Sequence, residues 1–476
     1  MSGDITISIW LFILLIAVAA WALLERVLIP STRWFIRRRI NRLIDDISAR
    51  LDIQIKPFQL TKRQVLIDRL VYDPIVVEAI QETAHKRNCP REMVQKEVMA
   101  YAREIVPSFN AYLYFRIGYW MAKKIARLLY RVRIGMTDEQ RYASIDPEST
   151  VVFVINHRSN MDYVLVAFLA AEKTTLSYAV GEWAKIWPLQ TLIRAMGAFF
   201  VRRNSSDPLY RRVLERYVHM ATKEGVCQAV FLEGGLSRDG RLRPPKLGFL
   251  DYMLRSYDAR SDRDIVFIPV GVNYDRTLED RSLLRQLDPD AAQRSRWFII
   301  KTTCGFIWKS LVLMILSRWQ RFGYAYVHFG IPVSVRQYCA DNGVNFARLE
   351  RPDRFAEVEK LANRLMVAIR QVVPVLPVSL IATVLLDAQP EGLHAAELQE
   401  RVNRCIAELE RCGAHVYLSS QNRVESILNA LNMLQLRKLV GESDGVYWAI
   451  PDEVNVLTYY ANAIAHWRQL ANRSNC

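Results

Sequence analysis

From about residue 150, short β-branched or aromatic runs alternate with longer stretches whose apolar residues recur three and four apart. This texture predicts an α/β fold, a mixed and largely parallel sheet flanked by helices. Helical periodicity before and after that region predicts helical N-terminal and C-terminal regions. An uncharged run, Ile5 to Leu24, predicts one N-terminal transmembrane helix. The expected organisation is an anchor over 1–32, a helical region over 33–135, an α/β domain over 136–350 and a helical domain over 351–476.

The anchor follows from length and flanking charge. Its twenty residues (ITISIWLFILLIAVAAWALL) span roughly 30 Å as a helix, the thickness of a hydrocarbon core. Asp4 precedes the run, whereas Arg26, Arg33, Arg37, Arg38, Arg39 and Arg42 follow it, the reverse of a secretory signal. The expectation is an uncleaved anchor with the rest of the chain cytoplasmic; the competing reading is a buried core helix. The net charge of +15 favours phosphate-bearing partners. With an anchor, that surface is expected to face anionic membrane lipid, not nucleic acid. The seven cysteines are scattered with no C-x-x-C pair, which suggests reduced thiols without a disulfide framework or a zinc site.

Between 33 and 135, FIRRRINRLIDDISARL and PIVVEAIQETAHKR carry helical spacing. Ala111 to Val132 mixes aromatics with Arg and Lys at the same spacing. That suits either a helix lying at a membrane interface or an ordinary amphipathic helix over the core. The expected strands are Val151–Ile155, Thr175–Val180, Ala198–Arg202, Gln228–Leu232, Ile265–Asn273 and Tyr324–Phe329. Phe298 to Trp319 is apolar but interrupted by Lys301 and Lys309, so an interfacial or re-entrant element is expected there. VVPVLPVSLIATVLL leads into the C-terminal helices, and Gly441 to Gly445 reads as a linker.

Four motifs fall where a predicted strand ends. In VVFVINHRSNMDYVL, His157 and Asp162 stand five positions apart, with Ser159 or Asn160 able to cap a helix beginning near Met161. An imidazole beside a carboxylate can serve as a base and its orienting partner. H-x-x-x-x-D alone is a loose pattern; its place at a strand end is what recommends it. In GAFFVRRNSSD, Arg202 and Arg203 precede a helix start and suit a phosphate ester, or else form a solvated basic turn. In VFLEGGLSRDGR, a strand ends in Glu233, Gly234 permits close backbone approach, and Ser237 and Arg238 supply a hydroxyl and a cation; no P-loop follows. In IVFIPVGVNYD, Pro269 interrupts a strand too apolar for an edge. There is no metal triad, dinucleotide fingerprint or nucleophile elbow. Together the motifs suggest direct transfer to a phosphorylated alcohol without a covalent enzyme intermediate.

The motifs HRSNMDYVL, GAFFVRR, FLEGGLSRDGR with PPKLGFL, and IPVGVNYD, in this order, resemble the glycerolipid acyltransferase superfamily, and within it the glycerol-3-phosphate acyltransferases. The likeness extends to VLPVSLIATVLL and YYANAIAHW. It implies that His157 takes the proton of the glycerol 3-phosphate hydroxyl, that Asp162 holds the imidazole, and that the oxygen attacks an acyl-CoA or acyl carrier protein thioester. It also implies phosphate contacts from Arg203, with Arg202, Phe200 and Arg158 as lesser candidates, and from Ser237 and Arg238. Glu233 and Gly234 would shape the acceptor site and Pro269 would pack beside it. No metal or cofactor is implied. The setting would be a bacterial inner membrane, catalytic domain on the cytoplasmic side. One position departs from the pattern: Leu236 stands where the family usually has arginine, so a phosphate contact is either missing or replaced, with Lys246 or Arg241 as substitutes. Acylation of dihydroxyacetone phosphate or lysophosphatidate, or a silent lipid-binding scaffold, are the alternative readings.

Overall fold

The computed structural model describes residues 56–170, 175–181, 189–202, 205–287, 322–418 and 423–474. The Ile5–Leu24 run, Arg203 and the Phe298–Trp319 stretch lie outside them. Among the described residues no helix is long and apolar enough to cross a membrane.

After a single helical turn at Pro57–Leu60 come helices α1 (Arg63–Val71), α2 (Pro74–Arg87) and α3 (Arg91–Ile105). Asp73 accepts the Ile75 N–H at 3.0 Å ahead of Pro74, and Asn88 closes α2 in the left-handed region. A π-helical turn, Leu113–Gly118, runs into α4 (Tyr119–Leu129), with Tyr114, Phe115, Gly118, Ala122 and Ala126 turned inward. The helix expected to reach Val132 stops at Leu129. Arg131 begins a strand instead, donating its N–H to the Gly323 carbonyl at 2.9 Å.

That strand, β1 (Arg131–Met136), crosses the expected boundary at 135 and joins the main sheet. The others are β2 (Thr150–Ile155), β3 (Ser177–Val180), β4 (Phe199–Phe200), β5 (Gln228–Phe231), β6 (Ile265–Tyr274), β7 (Tyr324–Phe329) and β8 (Val333–Ser334). Each of the six runs read as strands overlaps one. The order is β1-β7-β6-β2-β5-β3-β4, with β8 also on β6. Pairings are parallel except where β6 meets β7 and β8, so the sheet is mixed and largely parallel.

Both faces are covered by helices α5 (Met161–Ala170), α6 (Pro208–Lys223), α7 (Gly248–Leu254) and α8 (Arg351–Arg370), together with α1 to α4. Val152, Val154, Val230, Ile265 and Phe267 share one core with residues of α1, α2, α3, α6 and α8. Ile155, Ala229, Ile268, Val270, Val272 and Tyr274 share the other with residues of α4 and α5. Burial on both faces explains why the strand sequences are continuously apolar. Pro269 sits inside this central strand, against Val154 of β2. Its carbonyl accepts the Gly330 N–H at 2.8 Å where β7 gives way to β8, so its missing N–H faces the gap between those two partners.

C-terminal to α8, helices α9 (Pro377–Asp387), α10 (Ala395–Arg411), α11 (Arg423–Leu436), α12 (Val454–Asn462) and α13 (Ala465–Ser474) build a third core around α9. This region is not wholly helical. Strands β9 (Leu393–His394), β10 (Val440–Ser443) and β11 (Val446–Ala449) form a small antiparallel sheet. The expected linker at Gly441–Gly445 is thus a hairpin, turned by Asp444 and Gly445, both at positive φ. Asp-Gly is the pair such a two-residue turn selects.

Candidate active site

Strands β2, β5 and β6 run parallel or in register beside one another, so their following loops converge at one edge of the sheet. Asn156 prolongs the β2–β6 ladder with its side chain, donating to the Val272 carbonyl at 2.9 Å and accepting the Val272 N–H at 2.7 Å. The next residue is His157.

A capping box sets the geometry between His157 and Asp162. Ser159 Oγ accepts the Met161 N–H at 3.1 Å, and the Asp162 carboxylate, in the first turn of α5, reaches back to the Ser159 N–H at 3.0 Å. The same oxygen, Oδ2, accepts the Arg158 N–H at 2.7 Å and lies 2.9 Å from His157 Nδ1. With two backbone N–H groups aimed at it, Oδ2 is an acceptor, so Nδ1 carries the proton and Nε2 holds the lone pair. The other oxygen, Oδ1, accepts the Tyr274 hydroxyl at the end of β6. Burial, then the neighbouring Asp162, pushes the Tyr274 phenol well above its ordinary range and keeps it a donor.

The imidazole is 1% exposed, stacked on Phe231 at 4.0 Å with Tyr163 edge-on at 5.3 Å. Its Nε2 has no partner among the described residues. The ring is therefore fixed on one nitrogen and open on the other. An arrangement of this kind can accept a proton from a bound hydroxyl.

The third motif clamps the first. Glu233 accepts the His157 N–H at 3.0 Å with one oxygen and the Arg243 N–H at 3.0 Å with the other, and the Ser237 N–H donates to the His157 carbonyl at 2.8 Å. Ser237 Oγ closes its own loop on the Arg241 carbonyl at 2.6 Å. Gly234 is required twice over: its φ is +66°, and a Cβ would fall 2.6 Å from the stem of Lys246. Lys246 and Arg238 are exposed, while Leu236 packs against the C-terminal core, which accounts for an apolar residue there.

Burial lifts the Glu233 carboxyl from its ordinary 4.5 to about 7. The unfolded chain releases this proton near 4.5 and the folded chain near 7, so rising pH favours unfolding across that window. Wild type should therefore lose stability relative to Glu233→Gln between those pH values, by on the order of 3 kcal/mol. Glutamine forfeits one of the two backbone bonds, an offset that is constant with pH. Urea midpoints of both proteins across the window check this, and parallel curves would contradict it.

Arg158, 3% exposed, turns toward the C-terminal helices. Its Nη1 donates to the Gly240 carbonyl at 2.9 Å, its guanidinium lies 5.2 Å from the Tyr459 ring centre, and its Nε and Nη2 are buried with no partner among the described residues. A buried cation with two open donors suits an anionic ligand.

In the second motif Arg203 lies outside the described residues, and Arg202 is already paired. Arg202 donates to Glu104 through Nη2 at 2.6 Å and Nε at 3.1 Å, between the rings of Tyr101 and Tyr210. The helix start behind it is filled by Asp207, which accepts the Leu209 N–H at 2.9 Å. Phe200 is core in β4, under the Arg194 guanidinium at 5.1 Å. Pro269 lies in the sheet beside Val154, below the loops that carry His157.

Reading by residue type missed Tyr274, Tyr459 and Glu279, which accepts the Ser159 hydroxyl at 2.7 Å. The S-x-x-D signature at Ser159–Asp162 is the local signal for the capping box; Tyr274 and Tyr459 stand inside IPVGVNYD and YYANAIAHW, but nothing local in those stretches marks their partners.

The family described as Acyltransferase matches residues 134–273, and the glycerol-3-phosphate acyltransferase C-terminal region matches residues 310–470. A glycerol-3-phosphate acyltransferase of Pseudomonas syringae pv. tomato is 28% identical over 421 residues, 86% of this chain and 49% of that protein. Those of Aeromonas hydrophila and Xanthomonas campestris pv. campestris are each 26% identical, covering 86% and 90% of this chain and 50% and 48% of theirs. The chain thus spans about half the length of the curated relatives it matches. The two family regions thus lie in sequence along one chain, the motif residues of the first converge on His157, and the chain is similar to glycerol-3-phosphate acyltransferases over most of its length.

Proposed function

We propose that the protein transfers a fatty acyl group from a coenzyme A or acyl carrier protein thioester to the hydroxyl of glycerol 3-phosphate, giving 1-acylglycerol 3-phosphate. The observation that carries this reading is the Nε2 of His157, without a partner among the described residues, on a ring whose Nδ1 is held by Asp162. Nε2 takes the hydroxyl proton as the oxygen bonds to the thioester carbonyl carbon. The C–S bond then breaks, and the imidazolium returns its proton to the departing thiolate, so no covalent enzyme intermediate forms. Arg158, through Nε and Nη2, is the buried cation proposed for the acceptor phosphate, joined by Arg238 and by Arg203. Glu233, Gly234 and Ser237 act on the loop that presents His157. The reaction needs no metal or organic cofactor, because the thioester is already activated. Ile5–Leu24 is proposed to anchor the chain in a bacterial inner membrane, with this site on the cytoplasmic side.

The test is acyl transfer by the full chain in detergent, with palmitoyl thioesters of coenzyme A and acyl carrier protein as donors. Labelled glycerol 3-phosphate, dihydroxyacetone phosphate and lysophosphatidate are compared as acceptors. Glycerol 3-phosphate is expected to give the highest kcat/KM. Acylation of none of the three would overturn the enzymatic reading.

A further inference from the structure

The helix that precedes β1 carries an outer face that the described core does not cover. Ile117, Trp120, Ile125 and Leu128 are 36%, 57%, 36% and 38% exposed. At 100° per residue, Ile117, Trp120, Lys124 and Leu128 fall in one stripe opposite the buried Ala122 and Ala126, with Ile125 at its edge. Arg116, Lys124 and Arg127 are exposed among them, and Arg131 and Arg133 continue the basic surface onto β1. Between Glu104 and Asp138 the sequence has no acidic residue. An exposed apolar stripe that includes a tryptophan, interspersed with cations and free of acids, matches an anionic lipid surface and repels a basic protein.

We propose that this face is a membrane-docking surface: Ile117, Trp120, Ile125 and Leu128 enter the interfacial layer, and Arg116, Lys124 and Arg127 meet anionic headgroups. The contact is additional to the proposed anchor and places the site. Helix α4 packs directly on α5, Tyr119 stacking on Phe168 at 5.9 Å and Arg127 lying 6.0 Å from the same ring. Helix α5 carries Asp162 in its first turn. Docking of α4 thus turns the loop edge that holds His157 into a fixed relation with the bilayer. That purpose, though not the docking itself, rests on the acyl-transfer reading.

The test is photocrosslinking by the full chain in vesicles of phosphatidylcholine, with and without phosphatidylglycerol. A p-benzoylphenylalanine replaces Trp120 or Leu128, and in a control it replaces Leu428, which is 55% exposed on α11. Lipid adducts are expected at 120 and 128 and not at 428. Changing Arg116, Lys124 and Arg127 to glutamine should lower the adducts on phosphatidylglycerol vesicles roughly fivefold or more and leave those on pure phosphatidylcholine unchanged. Adducts from 120 and 128 only to protein, whether this chain or a second copy, would overturn the proposal, as would equal lipid labelling at 428. Turnover of the triple variant with a soluble donor in detergent reads the catalytic proposal separately.

Discussion

Asp162→Asn should lower acyl-transfer turnover by on the order of 10³- to 10⁴-fold, the scale seen when the carboxylate that orients a catalytic imidazole becomes an amide. The carboxylate accepts from His157 Nδ1, the N–H groups of Arg158 and Ser159, and the Tyr274 hydroxyl. Asparagine has one acceptor oxygen for these donors. If that oxygen stays on the two backbone N–H groups, its NH₂ faces the Tyr274 hydroxyl; if it flips, NH₂ faces both N–H groups. In the first case the amide oxygen, in place of Oδ2, still accepts from Nδ1–H but brings no negative charge to stabilise the imidazolium; in the second the NH₂ faces Nδ1 as well, and the Nδ1–H tautomer loses its acceptor. His157→Ala should cost at least as much, and the double variant no more than the worse single one, because the pair acts as a unit. The measurement is kcat and KM for glycerol 3-phosphate, alongside circular dichroism to confirm folding. Wild-type turnover in either single variant would remove the pair from the mechanism.

Gly271→Ala should destabilise the protein by about 3 kcal/mol or more, at the upper end of overpacking costs, since backbone and not a side-chain tip stands in the way. A Cβ at this position of β6 would lie 2.1 Å from the Val372 carbonyl oxygen, 2.4 Å from its carbon and 2.6 Å from the Val373 nitrogen. Those atoms cannot retreat easily: Asn273 holds the Pro374 carbonyl at 2.8 Å, and Val375 donates to the His415 carbonyl at 2.9 Å. The strain would also reach the site, because Val272 is the backbone partner of Asn156. Gly248→Ala is the control, with nothing within 4 Å of the added carbon. It should be neutral or slightly stabilising, as glycine replaced in a helical conformation usually is. Thermal midpoints of the two variants and the wild type decide the matter, and equal midpoints for all three would contradict the close approach.

The C-terminal region is more than an appendage to this chemistry. Tyr459 on α12 covers the Arg158 guanidinium and donates to the Arg158 carbonyl at 3.3 Å, and Asn462 donates to the Asp239 carbonyl at 2.9 Å. Leu236, half-buried, packs against the same core, so an apolar residue at this position contributes to the docking of this region.

How much was legible beforehand depended on the range of each interaction. Strand positions could be read from local composition, because a strand buried on both faces must be apolar throughout, and the six runs carried that mark. The His157–Asp162 geometry was also local, since a capping box and one helical turn bring the two together. Tertiary structure alone decided the rest. Arg202 was read as free because its partner, Glu104, lies 98 residues earlier; Tyr274 reaches Asp162 across 112 residues, and Tyr459 reaches Arg158 across 301. A guanidinium beside a strand end looks the same in sequence whether it awaits a phosphate or already holds a carboxylate. Only the fold, by bringing distant donors and acceptors together, settles which cations are spent on structure and which, like Arg158, keep buried donors without a partner among the described residues.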